Sequence, residues 1–344
     1  MMKLDLSVDE SSSVPKYIQI VKSIKSLIAS GALKYGNKIP SINNLSADYY
    51  LSRDTVEKAY LILKKQGIIE SVRGKGYYIC HNSVLSKSKI LLLFNKLSAY
   101  KKEIYNSLAI QLEDRADIVF YVYHCEYSLF KKILEQQKES YDYYVIMPHF
   151  KKDCEQKAIE LINKLPKEKL VILDHQLEGI EGYFGGVYQD FKLDIYLALK
   201  QLKSRLGKYK KLVLVFPFHS SYPYPEQILL GFKKFAVEEN YDFEIIPEIS
   251  ADLKPLEGEA YILIEENDLV HLIKKVREIK ELKIGMNLGI LSYNETPLKE
   301  VLQKGITVIS TDFEAMGKQT ADMILQKEGQ MIKNEFKVIV RESL

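Results

Sequence analysis

The sequence predicts an α/β protein in two parts: a small N-terminal unit of helices and a β-hairpin, then a larger part built from two doubly wound parallel sheets. Two observations predict this division. Residues 42–65 carry two short amphipathic helical patterns in succession, and a hairpin pattern follows them. From residue 89 onward, short apolar runs alternate with helical patterns. We therefore expect a first domain at 1–80, a linker at 81–88 and a second domain at 89–344.

The first domain reads as a winged helix-turn-helix. A short polar stretch at 1–14 suggests a flexible arm, and a helix with one apolar face follows between Pro15 and Gly31. Two more helical patterns come next, with only two residues between them, and the second of these starts at Ser52. The hairpin after them carries an Arg-Gly-Lys-Gly tip, which is typical of a wing.

The start of the third helix is the candidate reader of DNA. Ser52 is a good N-cap, which puts Arg53 and Thr55 in the first turn, where recognition helices contact base edges. Arg53 suits a guanine edge or a phosphate, and the two hydroxyls suit phosphate. The wing adds the charges of Arg73 and Lys75, while its glycines let the backbone approach the duplex. A winged helix that binds protein instead remains the alternative.

Residues 15–80 resemble the DNA-binding domain of the GntR family of bacterial transcription regulators. Three blocks carry the resemblance in the family's order and spacing: PKYIQIVKSIKSLIASGALKYGNKIPS, LSADYYLSRDTVEKAYLILKKQGIIES and RGKGYYI. The resemblance implies that the first turn of the third helix and Gly74 lie on DNA. Residues 1–80 hold twelve Lys and Arg against seven Asp and Glu, which is the sign of charge that phosphate contact requires.

Two positions depart from the GntR pattern. Asn43 and Glu57 stand where the family often has arginine. Asparagine can read adenine or bind phosphate, whereas Glu57 would repel phosphate and leaves Lys58 beside it as the substitute. Ten residues are the resulting candidates for contact with operator DNA: Ser41, Asn43, Ser52, Arg53, Thr55, Lys58, Arg73, Gly74, Lys75 and Gly76.

The second domain shows eight apolar runs, beginning near residues 90, 118, 144, 170, 212, 243, 261 and 288. Continuous apolar strands separated by helices indicate parallel sheets covered on both faces. The stretch is too long for one small sheet, so we expect two subdomains with a ligand cleft where the carboxyl ends of their strands face each other. Polar residues follow several of these runs, which suits a polyhydroxylated ligand, although Asn and Asp at such points also cap helices.

Residues 89 to about 330 are similar to the effector domain of the LacI family and to type I periplasmic sugar-binding proteins. The segments that carry this similarity include LVILDHQLEG, GVYQDFKLDIYLALKQL, EENDLVHLIKKV, GILSYNETPLKEVL and ISTDFEAMGKQTADMIL, in that order. By this resemblance Asp174, Asn267 and Asn294 hold sugar hydroxyls. Ile228 replaces the family's sugar-binding arginine, so Gln227 or the tyrosines of HSSYPYPEQ take that side of the cleft.

Eight residues are the resulting candidates for ligand contact: Asn95, His149, Asp174, His175, Tyr222, Gln227, Asn267 and Asn294. The chain has no tryptophan, so stacking on a sugar ring falls to tyrosine or phenylalanine. Five aromatic residues are candidates for that role: Phe94, Phe150, Phe218, Tyr222 and Tyr293.

Other classes of function find little support. The N-terminus lacks the apolar core of an export signal, and no apolar run approaches the about 18 residues of a membrane span, so we expect a cytoplasmic protein. Cys80, Cys125 and Cys154 match neither a disulfide framework nor a zinc site. No motif of a hydrolase, kinase or metalloprotease is present, so we expect no catalysis and no cofactor.

The combined resemblance, of the arabinose-repressor type, implies a homodimeric repressor that binds operator DNA and releases it when a small sugar enters the cleft. We guess a pentose or a deoxyhexose. The alternatives are a regulator that senses a non-sugar metabolite in the same cleft, or an enzyme fused to a winged helix.

Overall fold

A computed structural model describes residues 4, 6, 8, 9, 12, 14–80, 87–137 and 141–344. The chain divides into two compact units, Met1–Ser88 with Asp114–Asp117 and Lys89–Glu113 with Ile118–Leu344. Most of the expected linker, residues 81–86, lies outside the described residues. No helix in the described ranges has both the length and the apolar character needed to span a bilayer.

Three helices form the core of the first unit: α1 (Lys16–Ala29), α2 (Ile42–Asp48) and α3 (Arg53–Lys65). The side-chain oxygens of Ser41 and Ser52 accept backbone hydrogen bonds that cap α2 and α3. The apolar faces predicted from the sequence meet in this core, so the helix-turn-helix is confirmed. The turn between the two helices is longer than predicted, because α2 ends at Asp48.

A three-stranded antiparallel sheet completes the first unit, in the order β1 (Lys38–Ile39), β3 (Gly76–Ile79) and β2 (Ile69–Val72). The sequence predicted β2 and β3 as the wing. It did not predict β1, because two residues are too few to show a pattern.

The described part of the N-terminal arm packs onto the first unit. Leu4 and Leu6 are buried in its core. The Leu6 N–H donates to the Tyr49 hydroxyl at 2.8 Å, and the Gln19 amide donates to the Val14 carbonyl at 2.7 Å. The expectation of a flexible arm is wrong for these residues, because two leucines at alternate positions bury apolar surface that a free arm would expose.

Lobe 1 of the second unit is built on a six-stranded sheet in the order β14-β8-β7-β6-β4-β5. Its strands are β4 (Ser88–Phe94), β5 (Ala116–Val122), β6 (Tyr143–Ile146), β7 (Leu170–Asp174), β8 (Gly185–Tyr188) and β14 (Met331–Lys333). Its helices are α4 (Ala99–Leu112), α5 (Tyr127–Gln136), α6 (Glu155–Ile162) and α12 (Phe313–Gln326).

Lobe 2 is built on a second six-stranded sheet in the order β10-β9-β11-β12-β13-β15, in which only β15 runs antiparallel to its neighbour. Its strands are β9 (Lys211–Val215), β10 (Asp242–Ile246), β11 (Glu259–Leu263), β12 (Gly289–Tyr293), β13 (Thr307–Thr311) and β15 (Phe336–Ile339). Its helices are α7 (Phe191–Gln201), α8 (Lys203–Leu206), α9 (Gln227–Glu238), α10 (Glu266–Glu278) and α11 (Pro297–Val301).

The two doubly wound subdomains predicted from the sequence are confirmed. The chain passes between the lobes three times, after β8, after β13 and after β14. All eight predicted apolar runs lie in strands, whereas β8, β13, β14 and β15 were not among them. In lobe 1, helices α4 and α12 pack closely at Gly317, where a methyl group would overlap the Ile104 carbonyl oxygen and the Ser107 hydroxyl.

Gly317→Ala should lower the stability of the second unit by about 1–3 kcal/mol, because the added methyl group overpacks the contact between α4 and α12. At an unconstrained helical position the same change would stabilise by about 1 kcal/mol. Urea unfolding followed by circular dichroism measures the effect, with the exposed Lys318→Ala on the same helix as control. Equal or higher stability of Gly317→Ala would show that the two helices separate without cost.

Candidate nucleic-acid interface and ligand cleft

The start of α3 presents the predicted DNA-reading residues at the surface. The Ser52 hydroxyl oxygen accepts from the Thr55 N–H at 3.2 Å and lies 2.7 Å from the Thr55 hydroxyl oxygen. These two hydroxyls are hydrogen-bonded to each other. Arg53 is exposed at the first helical position. At the start of α2, the Ser41 hydroxyl accepts from the Asn44 N–H at 3.2 Å, and Asn43 is exposed beside it. A hydroxyl group therefore lies at each helix start, beside an amide side chain at α2 and beside Arg53 at α3.

The wing places its charges at the tip of the hairpin. The Lys75 N–H donates to the Val72 carbonyl at 2.9 Å, which closes a tight turn. Gly74 has a φ of +75° in this turn, a conformation that favours glycine. Arg73 and Lys75 are exposed, and the half-buried Gly76 begins β3. The tip can therefore bring its backbone and its charges close to a phosphate.

Lys58 differs from the other candidates in this unit. Its ammonium lies 4.2 Å from the centre of the Tyr17 ring on α1, a cation–π distance. The Lys58 ammonium therefore already has a contact within this unit. Glu57 beside it is exposed.

The cleft of the second unit consists of two adjoining compartments between its lobes. The inner compartment has a volume of about 510 Å³ and the outer one about 850 Å³, and they share a wall of tyrosines. Residues from both lobes line each compartment, at the carboxyl ends of strands β4, β7 and β8 in lobe 1 and β11 and β12 in lobe 2. This is the position expected for a ligand site in paired parallel sheets.

Asp174, the last residue of β7, forms the floor of the inner compartment. It is 4% exposed, and its backbone has a φ of +71°. Its Oδ2 accepts from His149 Nε2 at 2.8 Å and from Lys101 Nζ at 3.4 Å, and its Oδ1 accepts from the Gln189 amide. Lys101 also donates to the side-chain carbonyl of Asn95. The floor is thus a network of buried hydrogen bonds rather than a lone carboxylate.

The protonation states of the floor follow from burial and from these contacts. Burial alone would raise the pKa of Asp174, but Lys101, His149 and Gln189 outweigh it and hold the pKa well below its usual range. Burial lowers the pKa of His149 despite the adjacent carboxylate. Burial and the neighbouring His149 lower the pKa of His175 to about 3. At neutral pH Asp174 is therefore a carboxylate, while His149 in the floor and His175 behind it are neutral imidazoles.

Lobe 2 supplies a second buried lysine. Lys299 is 2% exposed, and its ammonium donates to the carbonyls of Tyr293 and Asn294 at 2.9 and 2.6 Å. Burial lowers the pKa of Lys299 to about 8, and Glu266, 3.8 Å away, offsets part of this effect. Because Lys299 holds both carbonyls, it fixes the strand end at which Asn294 adopts a φ of +63°.

The structure brings most of the eight candidate ligand residues together. Five of them line the inner compartment: Asn95, His149, Asp174, Tyr222 and Asn294. Tyr222 and Asn294 also line the outer compartment. Asn267 lines the outer compartment. The remaining two line neither one. His175 lies behind the floor, with its ring centre 5.0 Å from that of His149, and Gln227 is exposed at the start of α9.

Sequence reasoning missed part of the cleft lining. Polar, charged and aromatic residues of the inner compartment that it did not name are Lys96, Tyr100, Lys101, Gln189, Phe191 and Phe313, whereas both tyrosines of HSSYPYPEQ, Tyr222 and Tyr224, line it as expected. Candidates were sought directly after each predicted strand. Gln189 follows β8 and would have been found if β8 had been predicted, and Lys96 lies only one residue beyond the candidate Asn95. Lys101 and Phe313 lie in the first turns of α4 and α12, where a sequence shows only an ordinary helix start.

The aromatic lining comes from both lobes. Tyr100 stacks on Phe313 with ring centres 4.8 Å apart, and Tyr222 and Tyr293 also line both compartments. The other three aromatic candidates lie elsewhere: Phe94 and Phe150 are buried in lobe 1, and Phe218 is exposed on lobe 2. Tyrosines therefore provide most of the surface on which a ring could stack.

In the ranges that the structure describes, no group of three or more His, Cys, Asp or Glu is placed to hold a metal ion. Cys80, Cys125 and Cys154 are free thiols.

The sequence profile of the family described as bacterial regulatory proteins, gntR family, matches residues 16–79. One relative is the HTH-type transcriptional repressor YtrA of Bacillus subtilis (strain 168), 36% identical over 99 residues, which are 29% of this chain and 72% of YtrA. Another is the arabinose metabolism transcriptional repressor of Geobacillus stearothermophilus, 34% identical over 70 residues, which are 20% of this chain and 19% of that repressor. The chain thus spans most of YtrA but under a fifth of the arabinose repressor.

The wider fold matches solved structures of LacI-family regulators. A crystal structure of such a regulator from Enterococcus faecalis V583, with bound ribose, superposes with a TM-score of 0.57 at 16% identity, over 74% of this chain and 98% of that chain. At this low identity the match shows a shared fold only. The chemistry of the cleft is therefore inferred from the residues described above.

Replacing Lys101 by methionine should destabilise the second unit by about 3–5 kcal/mol, because the buried carboxylate of Asp174 would lose its only ammonium partner among the described residues. Urea unfolding at neutral pH measures the loss. Lys102→Met, exposed on the same helix, is the matched control and should change stability by less than about 0.5 kcal/mol.

The double variant Lys101→Met with Asp174→Asn should recover part of that loss, since it removes the unpaired charge together with its partner. If Lys101→Met were as stable as Lys102→Met, the ammonium would not be what allows the carboxylate to be buried.

Proposed function

We propose that this chain, which belongs to the gntR family of bacterial regulatory proteins, is a repressor that binds operator DNA and releases it when a small sugar enters the cleft. The observation that carries the proposal is the presence, in one chain, of a gntR-type winged helix and a two-lobed cleft with a buried polar floor. The relatives named above are transcription regulators, and we assign the chain no catalytic activity.

On the DNA side, α3 enters the major groove with its first turn foremost. Arg53 reads a base edge or binds a phosphate, because it is exposed and stands next to the helix cap. The start of α2 and the tip of the wing add contacts to the phosphate backbone, which position the helix but carry no sequence information. A partner of this kind places the protein in the cytoplasm, where the operator is.

On the ligand side, the inner compartment suits a small polyhydroxylated molecule. Gln189 Oε1 and the Tyr293 hydroxyl are buried and have no hydrogen-bond partner within the described ranges. An unpaired buried polar group costs about 1–3 kcal/mol, so a ligand that pairs with both would bind with that gain. A pentose or a deoxyhexose is the ligand we propose, in line with the arabinose repressor and the ribose-bound regulator.

The working unit in this proposal is a homodimer. Operator half-sites lie about one helical turn of DNA apart, and a single winged helix contacts few phosphates. Ligand binding changes operator affinity only by the difference between its affinities for the DNA-bound and the DNA-free state. Closure of the two lobes around the sugar is the change that we expect to distinguish those states.

Two substitutions separate base reading from phosphate contact. Arg53→Ala should weaken binding to the specific operator by about 1–3 kcal/mol and relax the preference at one base pair. Lys75→Ala should weaken binding to all sequences and flatten the dependence on salt. Fluorescence anisotropy on operator and unrelated duplexes at several salt concentrations measures both effects. Wild-type affinity in both variants would contradict the proposal that the winged helix contacts DNA.

The sugar should weaken operator binding by about 5- to 150-fold, and operator DNA should weaken sugar binding by the same factor, since coupling between two sites is reciprocal. Anisotropy titrations of operator with and without sugar, and sugar titrations with and without operator, measure the two factors. Equal operator affinity in both conditions, with the sugar bound, would leave a DNA-binding protein that has a ligand site but no switch.

A further inference from the structure

Lys96 is a cation on the cleft wall, and no carboxylate of the described residues is in contact with it. It follows β4 in lobe 1 and borders both compartments. Its ammonium lies 4.8 Å from the ring centres of both Tyr222 and Tyr224 and 3.3 Å from the Tyr224 hydroxyl oxygen. Within the ranges that the structure describes, Lys96 forms no ion pair with a carboxylate. Since an ammonium has three N–H donors, at least one stays available to a ligand.

The other charges around the inner compartment compensate one another. Lys101 and Asp174 form a buried ion pair at 3.4 Å. His149 is neutral at physiological pH, as described above. Two ammonium groups and one carboxylate therefore line this compartment, and the single excess positive charge belongs to Lys96.

Glu265 is the carboxylate with the strongest influence on Lys96, but it does not neutralise it. Glu265 lines the outer compartment and not the inner one, and its Oε1 accepts from the Ser220 hydroxyl at 3.1 Å. Burial lowers the pKa of Lys96, and Glu265 raises it by less than burial lowers it. The ammonium is thus partly desolvated without full compensation, a state that an anionic group in the inner compartment would relieve.

Building on the proposed sugar-sensing function, we infer that the proposed sugar is bound in an anionic form, as a derivative that carries a carboxylate or a phosphate, and that Lys96 pairs with this acid group. The floor around Asp174 then holds the hydroxyls of the sugar. The Tyr293 hydroxyl, which has no partner among the described residues, is a further donor on the wall shared by the compartments. A charge-assisted pair of this kind is stronger than a neutral hydrogen bond, so it also sets specificity.

Isothermal titration with matched ligands tests this inference on the full-length protein. The probes are neutral pentoses, hexoses and deoxyhexoses, each compared with the sugar acid and with the terminal phosphate of the same sugar. We expect one of the two anionic forms to bind at least tenfold more tightly than its neutral parent. Comparing the sugar acid with the sugar phosphate shows whether the site selects a carboxylate or a phosphate. Lys96→Met should remove that preference, whereas Lys96→Arg and the exposed control Lys102→Met should keep it.

The outcomes separate this inference from the proposed function. Tighter binding of an anionic form that is lost in Lys96→Met supports it, provided the melting temperature of the variant shows a folded protein. Equal or tighter binding of a neutral sugar overturns it and leaves the sugar-sensing repressor standing. An anionic preference that survives in Lys96→Met overturns the role of Lys96. Binding of no sugar in any form would contradict the proposed function itself.

Discussion

The burial of the Asp174 carboxylate is the constraint on which the cleft depends. A buried charge without partners costs several kcal/mol, so the fold has to deliver donors to it from separate segments of the chain. Lys101 comes from the first turn of α4, His149 from the segment after β6, and Gln189 from the residue after β8. Because four segments meet at one side chain, the ends of three strands and the start of a helix are held in fixed relation. A ligand therefore meets a floor that is already formed, and little ordering has to accompany binding.

The same network reaches the point where the lobes join. Gln189 lies directly after β8, in the first of the three crossings between the lobes. Asn334, in the third crossing, is 2% exposed, and its N–H donates to the Tyr188 carbonyl at 2.8 Å. Its side-chain amide donates to the Thr311 hydroxyl at 2.9 Å and to the Asp312 carbonyl at 2.8 Å, in the second crossing. The three crossings are thus bonded to one another through a single residue, by its backbone N–H on one side and its side-chain amide on the other, and the floor of the cleft is continuous with them through residues 188 and 189. A contact made at the floor therefore lies in a hydrogen-bonded network that extends to the crossings between the lobes.

Much of the fold could be predicted from the sequence, because long apolar strands and capped amphipathic helices have strong local patterns. The four strands that were missed lack such patterns. β8 begins with two glycines, and one of them, Gly186, has no room for a side chain against the Ile172 carbonyl. β13 is TVIST, in which buried polar residues interrupt the apolar run. The strand-end rule placed Asn95, Asp174 and Asn294 at the cleft, because strand ends meet at one edge of a sheet. It could not find Lys101, since a lysine is buried only when tertiary contacts supply a partner, and those contacts have no local signature.

In the proposed sugar-sensing role, the cleft separates two tasks. Holding hydroxyl groups requires donors and acceptors in fixed positions, and the neutral ion-paired floor of lobe 1 provides them. Choosing one sugar among many requires contacts that differ from protein to protein, and these lie on the wall. Ile228 lines the inner compartment at the position where the resemblance to LacI-type effector domains implies an arginine, so lobe 2 offers no cation at this point. Lys96 of lobe 1 instead reaches the tyrosines of lobe 2, which puts a positive charge on the opposite side of the ligand. In this proposal the shared fold fixes the position of the site, whereas the placement of one cation, Lys96, selects the charge of the ligand.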